Sequence, residues 1–309
     1  MNARVNQNDM ALPRKHKPKI DWLPYMLILP ALLLITGFVV YPIGTVFYYS
    51  LQNYSVSNPF YNGFAGFDNY RKIFTDDPIF YESAWISLKW VVSEVTLQLV
   101  FGMILALVLH QTFRFRAWFR TVSFLPWAIS GVITSTIWSI MFNEHIGVIN
   151  DLFIRIGIID HPIAWIAGTG TAFWSVVASE LWRGIPFFAI TLLASLQTIP
   201  GELYEAAKVD GAGRWSVFTN VTLPFLKETI ILTTLLRAVW EFNNVDLIFN
   251  LTGGGPVNAT TTLPMYVANM AIKAGEFGYG SALTVVAFFI LLIFAAVYLK
   301  GSGYGKETA

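Results

Sequence analysis

Between residues 22 and 67 the chain has no Asp, Glu, Lys, Arg or His. That run is longer than the roughly 20 apolar residues needed to cross a bilayer. In hydrocarbon every backbone polar group must be satisfied internally, which a helix does within a single segment. It is also too long for the apolar core of a secretory leader and carries no small-residue cleavage pattern. We read it as a retained spanning helix over 22–50, with Pro24 and Pro30 near its start and Pro42 placed to bend it. Helix-length apolar runs recur at 84–109, 121–142, 171–197, 229–249 and 277–299. The expectation is an all-α, polytopic membrane fold of six transmembrane helices. Composition agrees: of 309 residues, 55% are hydrophobic and only 13% charged, which excludes an ordinary soluble domain. A net charge of +1 gives no basic face for nucleic acid, and the absence of cysteine removes disulfides, thiolate metal sites and cysteine nucleophiles.

An even number of crossings puts both termini on one side. The N-terminal tail, the alternate loops and the C-terminal tail hold thirteen Lys and Arg, against four in the opposite loops. By the positive-inside rule both termini are cytoplasmic. The expected organisation is a basic tail (1–21), a membrane domain (22–300) with a cytoplasmic loop at 198–228, and a short C-terminal tail (301–309).

That loop is a polar island in an apolar sequence. Residues 202–210 are rich in helix formers, and Gly211 can supply the left-handed residue on which helices end. A second apolar strip follows at Trp215, Phe218 and Val221, and Pro224 is expected to close the second helix. Glu205-Ala206-Ala207, three residues, Gly211, nine residues, then Val221-Thr222-Leu223-Pro224 resembles the EAA motif of bacterial ABC-importer permeases, with Val221 at a position usually Ile. The resemblance implies a coupling helix seated in a cleft of an ATPase dimer, with Glu205, Ala206, Ala207, Asp210, Gly211 and Pro224 as coupling residues. Gly253-Gly254-Gly255-Pro256 and Phe277-Gly278-Tyr279-Gly280 look like outer segments of the carbohydrate-uptake branch of that family. This implies contact with an extracytoplasmic solute-binding protein.

Seven charged residues fall within the apolar runs: Lys89, Glu94, Glu180, Arg183, Arg237, Glu241 and Asp246. Charge at membrane depth costs about 2.5–3.5 kcal/mol on insertion scales unless it faces protein or water. Glu180 with Arg183, and Arg237 with Glu241, are spaced to share a helix face. They form structural ion pairs or line a solute path. In the family one permease can hold sugar at mid-membrane, and the matching segments here imply that Trp127, Gly131, Trp182, Gly184, Phe187, Arg237, Glu241 and Asn244 line the site. Arg237 and Glu241 depart from the smaller neutral groups expected there. Gly184 and Pro186 would unwind the helix locally and turn both Trp182 and Phe187 inward.

Chemistry of its own is missing. There is no phosphate-binding G-x-x-x-x-G-K-[ST] loop, and none of the four histidines stands in H-E-x-x-H. The expected protein is not an enzyme and takes no cofactor or metal. The resemblance implies a permease subunit of a binding-protein-dependent ABC importer in the bacterial cytoplasmic membrane. It would move an oligosaccharide or glycoside with ATP hydrolysed by a partner, alongside a second permease chain and membrane lipid. The alternative is an ion-coupled secondary transporter using the buried charges as a relay.

Overall fold

The computed structural model describes residues 22–305. The expected basic tail and residues 306–309 of the C-terminal tail lie outside the described residues. The chain divides into one unit up to Thr45 and another from Val46. In the first, α1 (Leu23–Ile35) passes through a wide π turn (Thr36–Val40) into α2 (Tyr41–Ser50), whose last five residues belong to the second. Pro42 has no N–H to offer the carbonyl one turn back, and the wide turn immediately precedes it. No side chain of α1 is buried, and it has no polar face, as suits a helix solvated by lipid.

Past α2 comes a small hairpin of β1 (Gln52–Asn53) and β2 (Gly63–Phe64), antiparallel with Gln52 opposite Phe64. Then come α3 (Asp68–Thr75), α4 (Pro78–His110), α5 (Arg116–Ala128), α6 (Gly131–Met141), α7 (Val148–Arg155) and α8 (Ala172–Leu196). The polar island supplies α9 (Gly201–Val209) and α10 (Arg214–Val217), followed by α11 (Leu223–Phe242), α12 (Asp246–Leu251), α13 (Leu263–Ala268) and α14 (Phe277–Ser302).

Two expected spans are corrected. Among the described residues four helices are long and apolar enough to cross a membrane, Leu23–Ser50, α4, α8 and α14, or five if the bent pair α5 and α6 is one span. The single span expected at 121–142 is that pair, meeting at 97°. Ile129 and Ser130 are extended, and the Ser130 hydroxyl accepts the Ile133 N–H to start a new helix. The helix expected at 229–249 begins earlier, inside the polar island, ends at Phe242, and is not among those apolar enough to cross. Apolar content misplaced both of its ends, because helical bonding continues through Lys227 and Glu228 and stops where Asn243 leaves the helix.

The centre of the fold is the pairing of α4 with α8. Gly102 allows it: a Cβ there would sit 2.5 Å from Phe188 Cβ. Met103, Ala106 and Leu109 pack with Phe188, Leu192 and Leu196, and α11 adds Leu226 and Ala238. At the other end of α4, Asp77 caps the helix by accepting from the Ile79 and Phe80 N–H groups. Its second oxygen accepts from the Tyr266 hydroxyl at 2.7 Å and from the Tyr279 hydroxyl, tying α13 and α14 to the same corner.

Candidate functional site

In the polar island, α9 ends at Asp210 and Gly211 takes φ +73°. The Ala212 N–H bonds the Ala207 carbonyl at 2.9 Å, and the Gly211 N–H bonds that of Lys208 at 3.1 Å. This double closure needs a left-handed residue and explains the glycine. Glu205, Ala206 and Asp210 are exposed and Ala207 half-buried. Val209 is 88% and Trp215 76% exposed, leaving apolar surface without cover in this chain. Tyr204 turns inward, its hydroxyl 3.3 Å from that of Thr222. The expected closure at Pro224 is corrected. A π turn (Phe218–Thr222) carries α10 into α11 with helical backbone throughout, and Pro224, which has no N–H to donate, lies just past that wide turn, as Pro42 does in α2.

Where the middle of α4 and α8 meets the last turns of α11, five of the charged residues form one buried network. Glu180, wholly buried, accepts from Arg183 Nε at 2.9 Å and Nη2 at 2.8 Å, and from Arg237 Nη2 at 2.8 Å. Arg237 also pairs with Glu241 at 2.6 Å and donates from Nε to Gln98 Oε1 at 2.6 Å. Gln98 Nε2 donates to Glu94 at 2.8 Å and to Glu241 at 3.0 Å. Asn244 reaches the second Glu241 oxygen at 3.3 Å, and Trp90 Nε1 holds the Glu241 backbone carbonyl at 3.0 Å. Three carboxylates thus face two guanidiniums, joined by one amide. Glu94 Oε1 has no partner. The other two charged residues stand apart: Lys89 lies over the Phe173 ring at 4.5 Å and Asp246 is exposed at the start of α12.

Aromatic rings border this network. Phe187 lies 6.4 Å from Trp127 and 5.2 Å from Trp240, and the Arg237 guanidinium sits 5.8 Å from its centroid. Phe187 is buried, while Trp127 and Trp240 are 46% and 45% exposed. The expected unwinding of α8 does not occur; the helix runs unbroken through Pro186. Trp182 therefore points elsewhere and meets Trp138 at 6.3 Å. Gly184 makes room for Gln98, whose amide carbon would be 2.3 Å from a Cβ there, and Gly131 faces Asp246 across the α6–α12 contact. Of the eight residues named from sequence, the structure gathers Trp127, Phe187, Arg237, Glu241 and Asn244, sets Gly184 behind them, and places Trp182 and Gly131 to the side. Sequence reasoning missed Gln98 and Trp240. Gln98 stands four residues after Glu94, a spacing that could have found it.

Known proteins resemble the chain along nearly its whole length. It is 33% identical over 299 residues to the trehalose/maltose transport system permease protein MalF of Thermococcus litoralis, covering 97% of this chain and 100% of that protein. It is 36% identical over 278 residues to the sulfoquinovosyl glycerol transport system permease protein SmoG of Agrobacterium fabrum, covering 90% and 89%. The diacetylchitobiose uptake system permease protein DasB of Streptomyces coelicolor is 33% identical over 283 residues, covering 90% and 85%. The fold matches a chain of a bacterial ABC transporter involved in import of the acidic polysaccharide alginate, with a TM-score of 0.79 at 21% identity, covering 93% and 97%. Residues 98–301 match the model of the binding-protein-dependent transport system inner membrane components. The chain, a helical membrane permease, belongs to that family.

Proposed function

We propose that this permease moves a sugar, an oligosaccharide or glycoside, delivered by an extracytoplasmic binding protein across the cytoplasmic membrane, with ATP hydrolysed by a separate ATPase dimer. A second permease chain completes the path. The observation that carries the solute reading is the row Trp127–Phe187–Trp240 beside Glu241 and Asn244. Sugar rings stack their C–H faces on aromatic faces and need planar polar partners for their hydroxyls. The names of the similar permeases support the same class of solute. Arg237 and Glu241 hold the row from behind, since the Arg237 guanidinium is already engaged by Glu180, Glu241 and Gln98. Trp182, Gly131 and Gly184 shape the surrounding helices. Uptake of labelled oligosaccharide by proteoliposomes tests the reading: Trp127→Ala and Asn244→Ala each lower it about tenfold, the loss of one well-made contact. Assembly and ATPase stimulation by loaded binding protein stay intact. Normal uptake by both variants would place the solute elsewhere.

In this reading α11 is the remaining crossing, despite its four charged residues, because Arg237 and Glu241 are buried in protein. Six crossings then put both termini and α9 in the cytoplasm, and the thirteen-to-four distribution of Lys and Arg supports that orientation. The native chain has no cysteine, so single cysteines report cleanly. Those at Ser57 and Asn258 react with an impermeant thiol reagent added outside intact cells, and one at Ser216 does not; outside labelling at Ser216 reverses the topology.

The exposed face of α9, with Glu205, Ala206, Ala207 and Asp210, is the ATPase seat, and Gly211 sets its angle. A Cβ at Gly211 meets nothing within 4 Å, so Gly211→Val carries a backbone cost alone, about 1–3 kcal/mol for a β-branched residue at positive φ. The expected result is loss of ATPase co-purification with the permease still in the membrane. Wild-type co-purification and transport would remove α9 from the coupling role.

A further inference from the structure

A groove of about 1160 Å³ opens between the last turns of α4, the end of α8, the polar island and the start of α11. Along α4 it runs from Leu99 to His110, which at 1.5 Å per residue is about 16 Å. One leaflet of a roughly 30 Å hydrocarbon core has the same depth. Apart from Tyr204 and Thr222, and His110 and Gln111 at the end of α4, the wall is apolar: Leu99, Val100, Ile104 and Leu107 from α4, Leu223 and Ile230 from α11. At the end belonging to the polar island the lining carries Lys208 and Arg214, both exposed, and no acidic residue lines the groove anywhere. Neither cation takes part in an ion pair among the described residues. Trp215, an indole suited to the headgroup level, stands beside them.

We propose that this groove seats one anionic phospholipid, its acyl chain along α4 and its phosphate between Lys208 and Arg214, under the coupling helix. The inference rests on the cytoplasmic placement of the polar island and is independent of the solute. Length and charge both select this occupant. The apolar wall is one leaflet deep, and paired basic groups at its cytoplasmic mouth favour an anionic headgroup over a zwitterionic one. The lipid would pack against the segment joining α9 to α11, so its presence should steady the coupling helix.

Native mass spectrometry of the purified transporter, assembled with its ATPase and offered equal phosphatidylglycerol and phosphatidylcholine of identical chains, reads this directly. Phosphatidylglycerol should be retained about tenfold or more over phosphatidylcholine. The preference should fall to parity in Lys208→Gln/Arg214→Gln, and Ile104→Trp, which fills the apolar wall, should lower retention of both lipids. Equal retention of the two lipids by the wild type overturns the proposal, as does an unchanged preference in the double variant. Retention seen only without the ATPase gives the groove to that subunit and also overturns it. If the double variant fails to assemble, quenching by brominated phosphatidylglycerol and brominated phosphatidylcholine is compared in wild type and in Trp215→Phe. A Trp215 contribution quenched equally by both lipids rejects the site. None of these readouts requires transport, so a wrong solute leaves them unaffected, whereas a reversed topology appears separately in the thiol labelling at Ser216.

Discussion

Glu180→Ala is expected to destabilise the folded permease by about 3–5 kcal/mol, the cost of leaving buried charge without its partner. Both guanidiniums of the network converge on this one carboxylate; the Arg237 side chain, 6% exposed, has no water as a substitute, whereas that of Arg183 is 22% exposed. Glu241 still pairs with Arg237, but nothing replaces Glu180 for Arg183. The thermal midpoint of the purified protein in nanodiscs should fall by roughly 6 °C or more. Glu180→Ala/Arg237→Ala should lose less than the sum of the single losses, since each single change strands what the double change removes. A midpoint equal to wild type in Glu180→Ala would mean that the network is hydrated in the assembled transporter and contributes no more than a surface pair.

Gly102→Leu is expected to be more disruptive still. The first added carbon would lie 2.5 Å from Phe188 Cβ and 3.2 Å from the backbone of Ile185 and Ala189, so no rotamer can relieve the clash and α4 and α8 must separate. That interface positions Gln98 against Gly184, and with it the whole network. Overpacking of a well-filled core ordinarily costs about 1–3 kcal/mol, and here backbone and not side chain has to move. The expected outcome is little or no folded permease in the membrane fraction. Gly37→Leu supplies the control, because a Cβ at Gly37 meets nothing within 4 Å and its neighbours are exposed. If the two variants accumulate equally, the close α4–α8 approach does not hold the fold.

Much of this protein was determined by local sequence. Hydrocarbon permits only internally bonded backbone, so the apolar runs at 22–50, 84–109, 171–197 and 277–299 marked four long helices with ends within three residues of those observed, except that α4 starts six residues earlier, at Pro78. Gly211 ended α9 because only a glycine enters the left-handed region without cost, and that preference acts over one residue. The spacing of Glu205 and Gly211 carried the family without reference to any contact.

What failed to read from sequence depends on neighbours distant along the chain. Nothing local to α11 announces that Gln98 and Glu180, 139 and 57 residues from Arg237, bond its guanidinium. Periodicity places a side chain on a face of its own helix and says nothing of what the facing helix offers. The same limit hid the 97° break before α6, where Gly131 packs on α12, and the continuity of α8 through Pro186. A proline inside a helix removes one hydrogen bond and crowds the carbonyl four residues back, a cost of about 3 kcal/mol, and the packing of Phe187, Phe188 and Ala189 on α4 and its neighbours outweighs it. Sequence thus determined which segments are helices and which family they serve; tertiary packing decided where those helices bend and which buried charges are already spoken for, because desolvated charges are governed by their nearest partners in space and not by their order in the chain.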